Sequence, residues 1–219
     1  MAHLVLCLGV ALFALPLWLV LAGSTQSSAA IARGELSLIP DLGGLGVYAD
    51  VLRAGGRNDT PVWRMLLTST AMALCIALGK IVISVLSAYA IAFFRWPFRG
   101  LAFAVIFLTL MLPVEVRIIP TYSVMAGLGL INTFTGLTLP LIASATATLL
   151  FRQVFLAVPD ELIEAARMDG AGPLRFLRDI LLPVSAANLA ALFVILFVYG
   201  WNQYLWPLLV ATDPSLDTV

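Results

Sequence analysis

Residues 159–183 read PDELIEAARMDGAGPLRFLRDILLP and form the long polar interval in the second half of an otherwise apolar chain. Pro159 can occupy the first position of a helix, and the two acidic residues after it suit the positive helix end. Gly170 is placed to end that helix in a left-handed cap. Pro173 can begin a second helix. The sequence of this segment, hereafter the 159–183 loop, therefore predicts a helix–Gly–helix elbow.

The predicted second helix is amphipathic. Helical spacing would place Leu174, Leu177 and Leu181 on one face and turn Arg175 and Arg178 away from it. Apolar segments of membrane-spanning length flank the whole loop. Two interpretations fit this pattern: a solvated loop that merely joins two spans, or an elbow at the membrane surface that contacts another protein.

The loop also carries a motif. Glu164-Ala165-Ala166 is followed after three residues by Gly170, and nine residues later the chain reads Ile-Leu-Leu-Pro at positions 180–183. This pattern resembles the EAA loop of ABC importer permeases. The resemblance implies that the loop docks in a groove of a cytoplasmic ATPase subunit. The residues it assigns to ATPase coupling are Glu164, Ala165, Ala166, Asp169, Gly170 and Ala171.

Composition indicates a membrane protein. The chain has 219 residues, of which 62% are hydrophobic and 11% charged, and its mean hydropathy is +1.04. A soluble domain of this length could not bury so much apolar surface, so the solvent must be a lipid bilayer. The formal net charge is zero, which argues against nucleic-acid binding. Cys7 and Cys75 lie in apolar runs without metal-type or redox spacing.

Apolar runs predict an all-α polytopic protein with five transmembrane helices. The first run lacks a basic leader, which favours an uncleaved helix over a signal peptide. Residues 23–63 between the first two spans are polar and are predicted to form an external loop. The resembled family normally has six spans, so the last one is apparently missing, as in a truncated chain. The predicted spans are residues 4–22, 66–94, 101–122, 136–155 and 186–207.

Basic residues predict the orientation. Six arginines fall in alternate loops on one side, whereas the four on the other side share one long loop, which counts less. The 159–183 loop and the N-terminus are therefore expected in the cytoplasm. The six arginines are Arg95, Arg99, Arg152, Arg167, Arg175 and Arg178.

Further stretches, at residues 111–120, 143–148 and 199–207, resemble the carbohydrate-uptake branch of ABC importer permeases. That resemblance implies a type I importer fold in the bacterial inner membrane, with residues 1–219 as one transmembrane domain and residues 64–219 as its core. It also implies a second permease subunit, two ATPase subunits and an external solute-binding protein. The solute would be sn-glycerol-3-phosphate, a related glycerophosphodiester or a sugar. ATP and Mg²⁺ would bind the partner ATPase, and this chain would bind no cofactor or metal.

No catalytic motif is visible, so we expect no enzyme activity. A different class of function is an ion-coupled secondary transporter, in which Lys80, Glu115 and Arg117 would relay a proton or an ion. A third is a membrane scaffold that transports nothing. Neither alternative requires a docking elbow with the spacing of the 159–183 loop.

Charges within the spans predict a buried pair. Lys80 lies about halfway along the second span, where a lone ammonium costs at least ~3 kcal/mol. Lys80 and Glu115 are equally far from the turn between the second and third spans, so antiparallel packing would bring them together. Arg117 would then have no obvious acidic partner. It could guide an anionic solute, extend to the outer surface, or pair with the other permease subunit.

The end of the last predicted span combines aromatic and amide side chains. Tyr199, Trp201 and Trp206 suit an aromatic belt at the membrane interface. Asn202 and Gln203 are not needed for anchoring, because amides inside a span usually bond across helices or line a polar path. Together with Lys80, Glu115 and Arg117, these two amides are the candidate substrate path.

Overall fold

The computed structural model describes the backbone of residues 2–35, 37–54 and 60–219, with all their side chains except those of residues 2, 110, 114 and 115. Helices account for nearly all the regular structure in these ranges, which confirms the predicted all-α class. The chain divides into two compact units, Met1–Trp63 and Arg64–Val219.

The first unit consists of one long helix and several short ones. Helix α1 (Ala2–Ser24) exposes its large side chains along most of its length, so it needs lipid or protein around it. After α1 the chain folds back, because the buried Thr25 hydroxyl accepts a hydrogen bond from the Asp41 backbone N–H (2.9 Å). The short elements are α2 (Ser28–Ala32), a 3-10 turn (Leu42–Leu45) and α3 (Gly46–Arg53).

The second unit is organised around α4 (Val62–Phe93), whose 32 residues include no proline to interrupt the helix. A π turn at Leu177–Leu181 joins α10 to α11, and the remaining helices are connected by short segments. These helices are α5 (Arg99–Leu110), α6 (Val114–Gly127), α7 (Phe134–Thr138), α8 (Ala145–Leu156), α9 (Asp160–Met168), α10 (Pro173–Phe176), α11 (Leu182–Val184), α12 (Ala186–Trp201) and α13 (Leu205–Val210).

Two helices in the described ranges are long and apolar enough to cross a bilayer, His3–Ser24 and Val62–Phe93. Two more crossings result if each bent pair is one span. The pairs are Phe134–Leu141 with Ala145–Leu156, bent by 49°, and Pro173–Val184 with Ala186–Trp201, bent by 78°. The structure thus supports two to four spans by length and composition, and the predicted number of five is not confirmed.

The predicted third span is divided between two helices. Helix α5 ends at Leu110 and α6 begins at Val114, directly after Pro113. Pro113 has no backbone N–H and disfavours a helical residue before it. The interruption predicted within residues 101–122 is therefore present, and it leaves neither helix long enough to be a span by itself.

Small residues allow α4 to pack closely against its neighbours. A Cβ atom on Gly200 would lie 3.0 Å from the Cα of Ala73, and one on Gly79 would lie 2.7 Å from Cγ2 of Ile142. Small side chains at such crossings let helix backbones approach each other, as is common in membranes. Helix α4 is thereby held against α12 and against the segment before α8.

Candidate functional site

The first half of the 159–183 loop is helix α9, Asp160–Met168, where the sequence predicts it. Pro159 is the residue before the helix, not its first residue, because its ψ of 140° is extended. Asp160 and Glu161 lie in the first turn and Arg167 in the last, so the charges of α9 complement the helix dipole at both ends.

Helix α9 ends in a Schellman cap. Gly170 has a φ of +69°, in the left-handed region that favours glycine. The backbone N–H of Gly170 donates to the Arg167 carbonyl (3.1 Å), and that of Ala171 donates to the Ala166 carbonyl (2.9 Å). The predicted left-handed end at Gly170 is confirmed.

The second half begins at Pro173, as predicted, and runs through α10 and the π turn. Leu177 and Leu181 are buried, as expected. The expectation for Leu174 is wrong, because this side chain is 75% exposed and Phe176 is buried instead. A π turn holds one more residue than an α-helical turn, so regular helical spacing does not predict its buried face.

The charged face of the second half points to solvent. Arg175 and Arg178 are exposed, as predicted, and each lies near the Asp179 carboxylate, at 3.7 and 3.8 Å. Ion pairs this exposed contribute little to stability.

The residues predicted to contact an ATPase all lie on α9 and its cap. Ala166 is buried against the core and Ala171 is half-buried. The other four, which are Glu164, Ala165, Asp169 and Gly170, are exposed. Near them the apolar Met168 is 83% exposed. The elbow thus presents a carboxylate, small residues and an uncovered apolar side chain, and its contact with another protein stays a prediction.

A second candidate site is a cavity of about 340 Å³ formed by α6, α12 and α13 with residues 140 and 141, hereafter the Arg117 cavity. Its size falls at the lower end of small-molecule sites. Three of the predicted path residues, Arg117, Asn202 and Gln203, line it together. The polar and aromatic lining residues are Arg117, Thr121, Tyr199, Asn202, Gln203, Tyr204 and Trp206.

Lys80 lies behind the wall of this cavity. Its side chain is 4% exposed, and its Nζ lies 3.4 Å from the ring centroid of Tyr199, a cation–π contact. Tyr199 also lines the cavity, so its ring contacts both the buried ammonium and the open space. Lys80, against the Tyr199 ring, and Arg117, on the cavity lining, both carry a positive charge. This side of the cavity is therefore suited to an anion.

The predicted pair of Lys80 and Glu115 involves a side chain that lies outside the described residues. Glu115 belongs to α6, but only its backbone is described. Among the described carboxylates, none forms an ion pair with Lys80 or with Arg117. Arg117 is exposed on the cavity wall.

The amides of the candidate path lie at the end of α12. Asn202 is its exposed C-cap residue, and the side-chain amide of Gln203, just after the helix, donates to the Tyr199 carbonyl (3.1 Å) in its last turn. In the described part of the chain neither amide bonds to another helix. Both amides line the Arg117 cavity, and their role in a solute path stays a prediction.

Two aromatic residues that were predicted to lie in an interfacial belt make other contacts in the structure. Trp206 is 4% exposed and its indole N–H donates to the Gly136 carbonyl (3.1 Å), so it joins α13 to α7 and is no interfacial anchor. Tyr199 was expected in the same belt, yet its ring covers Lys80. Sequence reasoning therefore missed Tyr199 as a site residue. The sequence signal that could have identified Tyr199 is an aromatic residue about one helical turn before the two amides, Asn202 and Gln203.

Comparisons with known proteins agree with this geometry. Residues 80–219 match the family model described as binding-protein-dependent transport system inner membrane component. The chain is 56% identical to the sn-glycerol-3-phosphate transport system permease protein UgpE of Agrobacterium fabrum, over 100% of this chain and 78% of that protein. It is 54% identical to the protein of the same name from Escherichia coli K12, over 99% of this chain and 78% of that protein.

A solved structure shows the same fold. A chain from the crystal structure of a bacterial ABC transporter involved in the import of the acidic polysaccharide alginate superimposes with a TM-score of 0.84. The match covers 99% of this chain and 75% of that chain, at 22% identity. The predicted type I importer permease fold is confirmed.

Proposed function

This chain belongs to the family of binding-protein-dependent transport system inner membrane components, and from that premise we propose that it is the permease subunit of an ATP-driven importer of sn-glycerol-3-phosphate. A related glycerophosphodiester or a sugar is the alternative solute on the same scaffold. The observation that carries the proposal is the elbow of the 159–183 loop, in which α9, the Gly170 cap and the exposed Glu164 form a compact docking surface.

The elbow is suited to engage an ATPase. Exposed alanine lets a partner backbone approach closely, and Glu164 offers a carboxylate to a basic partner. The cap at Gly170 turns the chain without a side chain at the turn, and no atom lies within 4 Å of where its Cβ would be. We infer that two ATPase subunits, which bind ATP and Mg²⁺, dock from the cytoplasm against this chain and a second permease subunit. The N-terminus then also lies in the cytoplasm.

The Arg117 cavity supports an anionic solute. A guanidinium presents several donors in a planar fork that matches phosphate oxygens. The side-chain amides of Asn202 and Gln203 can bond the hydroxyl groups of a glycerol or sugar unit. The volume of about 340 Å³ is sufficient for a small polar metabolite. The external binding protein would deliver the solute to this side.

Co-purification tests the proposal. A tagged copy of this chain is expressed in cells together with the candidate partner subunits. The membranes are solubilised, and the proteins that co-purify with the tagged chain are identified. We expect an ATPase and a second permease subunit, with ATP hydrolysis that rises when binding protein loaded with sn-glycerol-3-phosphate is added. Recovery of the chain alone, with uptake driven by a proton gradient, would favour the secondary transporter that uses Lys80, Glu115 and Arg117.

A further inference from the structure

The 159–183 loop is held to the rest of its unit mainly by apolar contacts. Its buried side chains, such as Phe176, Leu177 and Leu181, belong to one core with Phe151 and Phe155 of α8 and with the end of α4. Apolar contacts of this kind are not directional, so they allow a packed segment to slide or tilt. A directional bond is needed to fix the loop at a defined position.

One hydrogen bond between α4 and the loop provides this directional contact. The Tyr89 hydroxyl on α4 donates to the Pro173 carbonyl in the loop (2.8 Å). Within the described residues it is the only hydrogen bond between the loop and a side chain outside it. Tyr89 as a residue is 8% exposed. A neutral hydrogen bond in such a place contributes more than one at the surface.

Aromatic rings hold Tyr89 in position for this bond. Its ring centroid lies 5.4 Å from that of Phe93, 5.3 Å from that of Phe94 and 6.4 Å from that of Phe176. The Phe94 contact is edge-to-face, a preferred arrangement for aromatic pairs. Phe176 belongs to the loop, so the ring of Tyr89 and the hydroxyl of Tyr89 both contact the same segment. Replacing the hydroxyl alone would leave these ring contacts in place.

The loop is packed incompletely against the end of α4. A cavity of about 160 Å³ lies beside Tyr89 and Phe93, and its other wall includes Ile163, Ala166 and Arg167 of α9. Pro173 and Phe176 line the same cavity, so the contact between the loop and α4 is incomplete on both sides of the Gly170 turn. The elbow can tilt about the Tyr89–Pro173 hydrogen bond without breaking a well-filled interface.

Helix α4 continues from this contact to the Arg117 cavity. Tyr89 and Lys80 are nine residues apart on one uninterrupted helix, or about 13 Å at helical rise. At the Lys80 end, the ammonium contacts the ring of Tyr199, which lines the cavity. A displacement at Pro173 can thus reach the cavity wall through a single rigid element.

We propose that Tyr89 is a positioning residue that fixes the 159–183 loop to α4, so that movement of the loop by a docked ATPase is transmitted to the Arg117 cavity. This inference rests on the proposed function, because it requires an ATPase at the loop. Loss of the bond leaves the loop folded, since its helices and its Gly170 cap do not involve Tyr89. ATP hydrolysis then continues while less solute is moved per ATP.

The test compares Tyr89→Phe with Tyr122→Phe in the full complex, reconstituted in vesicles with the binding protein. Both variants lose one phenolic hydroxyl, but the structure gives Tyr122 no hydrogen bond to another element within the described residues. The readout is solute taken up per ATP hydrolysed. Deuterium exchange at residues 173–181 is measured on the same complexes. We expect Tyr89→Phe to lower uptake per ATP by about two- to tenfold and to speed exchange in the loop, with Tyr122→Phe unchanged.

Other results have a definite meaning. Uptake per ATP and loop exchange equal to wild type would overturn the role of Tyr89, while the proposed function would stand. Weaker co-purification of the ATPase with Tyr89→Phe alone would support the positioning role, because docking then requires the fixed loop. Absence of ATPase from the wild-type complex would instead refute the proposed function itself.

Discussion

The 159–183 loop and the Arg117 cavity differ in how the chain builds them. The loop takes its form from residues next to one another in sequence: a nine-residue helix, a Schellman cap and a proline start. The cavity takes its form from helices about 80 residues apart, with Arg117 on α6 and Tyr199 to Trp206 at the end of α12 and in α13. Changes in the loop should therefore reduce transport of every solute equally. The loss of transport caused by changes in the cavity should depend on the charge of the solute.

The largest loss of uptake is expected from a charge reversal in the 159–183 loop. We expect Glu164→Lys to lower ATP-driven uptake of every solute by about thirtyfold or more, because a carboxylate paired in a protein interface is replaced by a like charge. Glu164 is exposed, so the variant should insert and fold as wild type does. Uptake and solute-stimulated ATP hydrolysis are measured together.

Asp179→Lys is the matched control for that variant. It makes the same change of charge at an exposed position of the same loop, and the ion pairs that it removes are weak. We expect at most a small loss for Asp179→Lys. Equal losses in the two variants would mean that net charge on the loop matters and that Glu164 has no specific partner.

The cavity side is tested by Arg117→Gln. We expect uptake of sn-glycerol-3-phosphate to fall by about tenfold relative to a neutral solute that the wild-type complex also takes up, because a charge-assisted bond to phosphate is lost. Arg95→Gln removes an exposed arginine outside the cavity and should change neither solute. Equal loss for charged and neutral solutes in Arg117→Gln would point to assembly and exclude a phosphate-guiding role.

A substitution at the glycine turn tests whether the backbone conformation of the 159–183 loop matters for transport. Gly170→Ala places a Cβ on a residue with φ of +69°, at a cost of about 1–2 kcal/mol. We expect about fivefold lower uptake for all solutes. Gly172→Ala is its control, because Gly172 has a φ of −68° and open space around its Cβ. Similar uptake in the two variants would show that the left-handed cap is not needed for coupling.

The smallest effect is expected from Asn202→Leu, which removes one neutral amide from the cavity wall. We expect about a two- to threefold loss of uptake with unchanged thermal stability. Asn188→Leu removes an exposed amide from the same helix α12, outside the cavity, and should have no effect on uptake. Unchanged uptake in Asn202→Leu would exclude this residue from the path.

The same difference explains what the sequence could predict. The cap at Gly170 and the start at Pro173 depend on local rules of helix formation, and both are found, whereas α9 begins at Asp160, one residue after the predicted Pro159. The motif spacing then led to the family. The buried face of the second half was predicted incorrectly at Leu174, because a π turn leaves no simple signal in the sequence.

The cavity was predicted only as a set of residues. Arg117, Asn202 and Gln203 were singled out as polar groups in apolar runs, and the structure brings them to one cavity. The predicted pair of Lys80 and Glu115 stays a prediction, because the Glu115 side chain lies outside the described residues. The contact of Lys80 with Tyr199 depends on the packing of α4 against α12, which spacing alone does not encode.

We propose that an ATPase docked at the 159–183 loop drives solute through this chain. This proposal is tested most directly by uptake of sn-glycerol-3-phosphate into vesicles that contain the complete complex, with the ATPase facing inward and binding protein outside. We predict uptake that requires ATP inside the vesicles, persists when a protonophore removes the proton gradient, and is lost in Glu164→Lys. Uptake without ATP that follows an imposed proton gradient, and that Glu164→Lys leaves intact, would contradict the account.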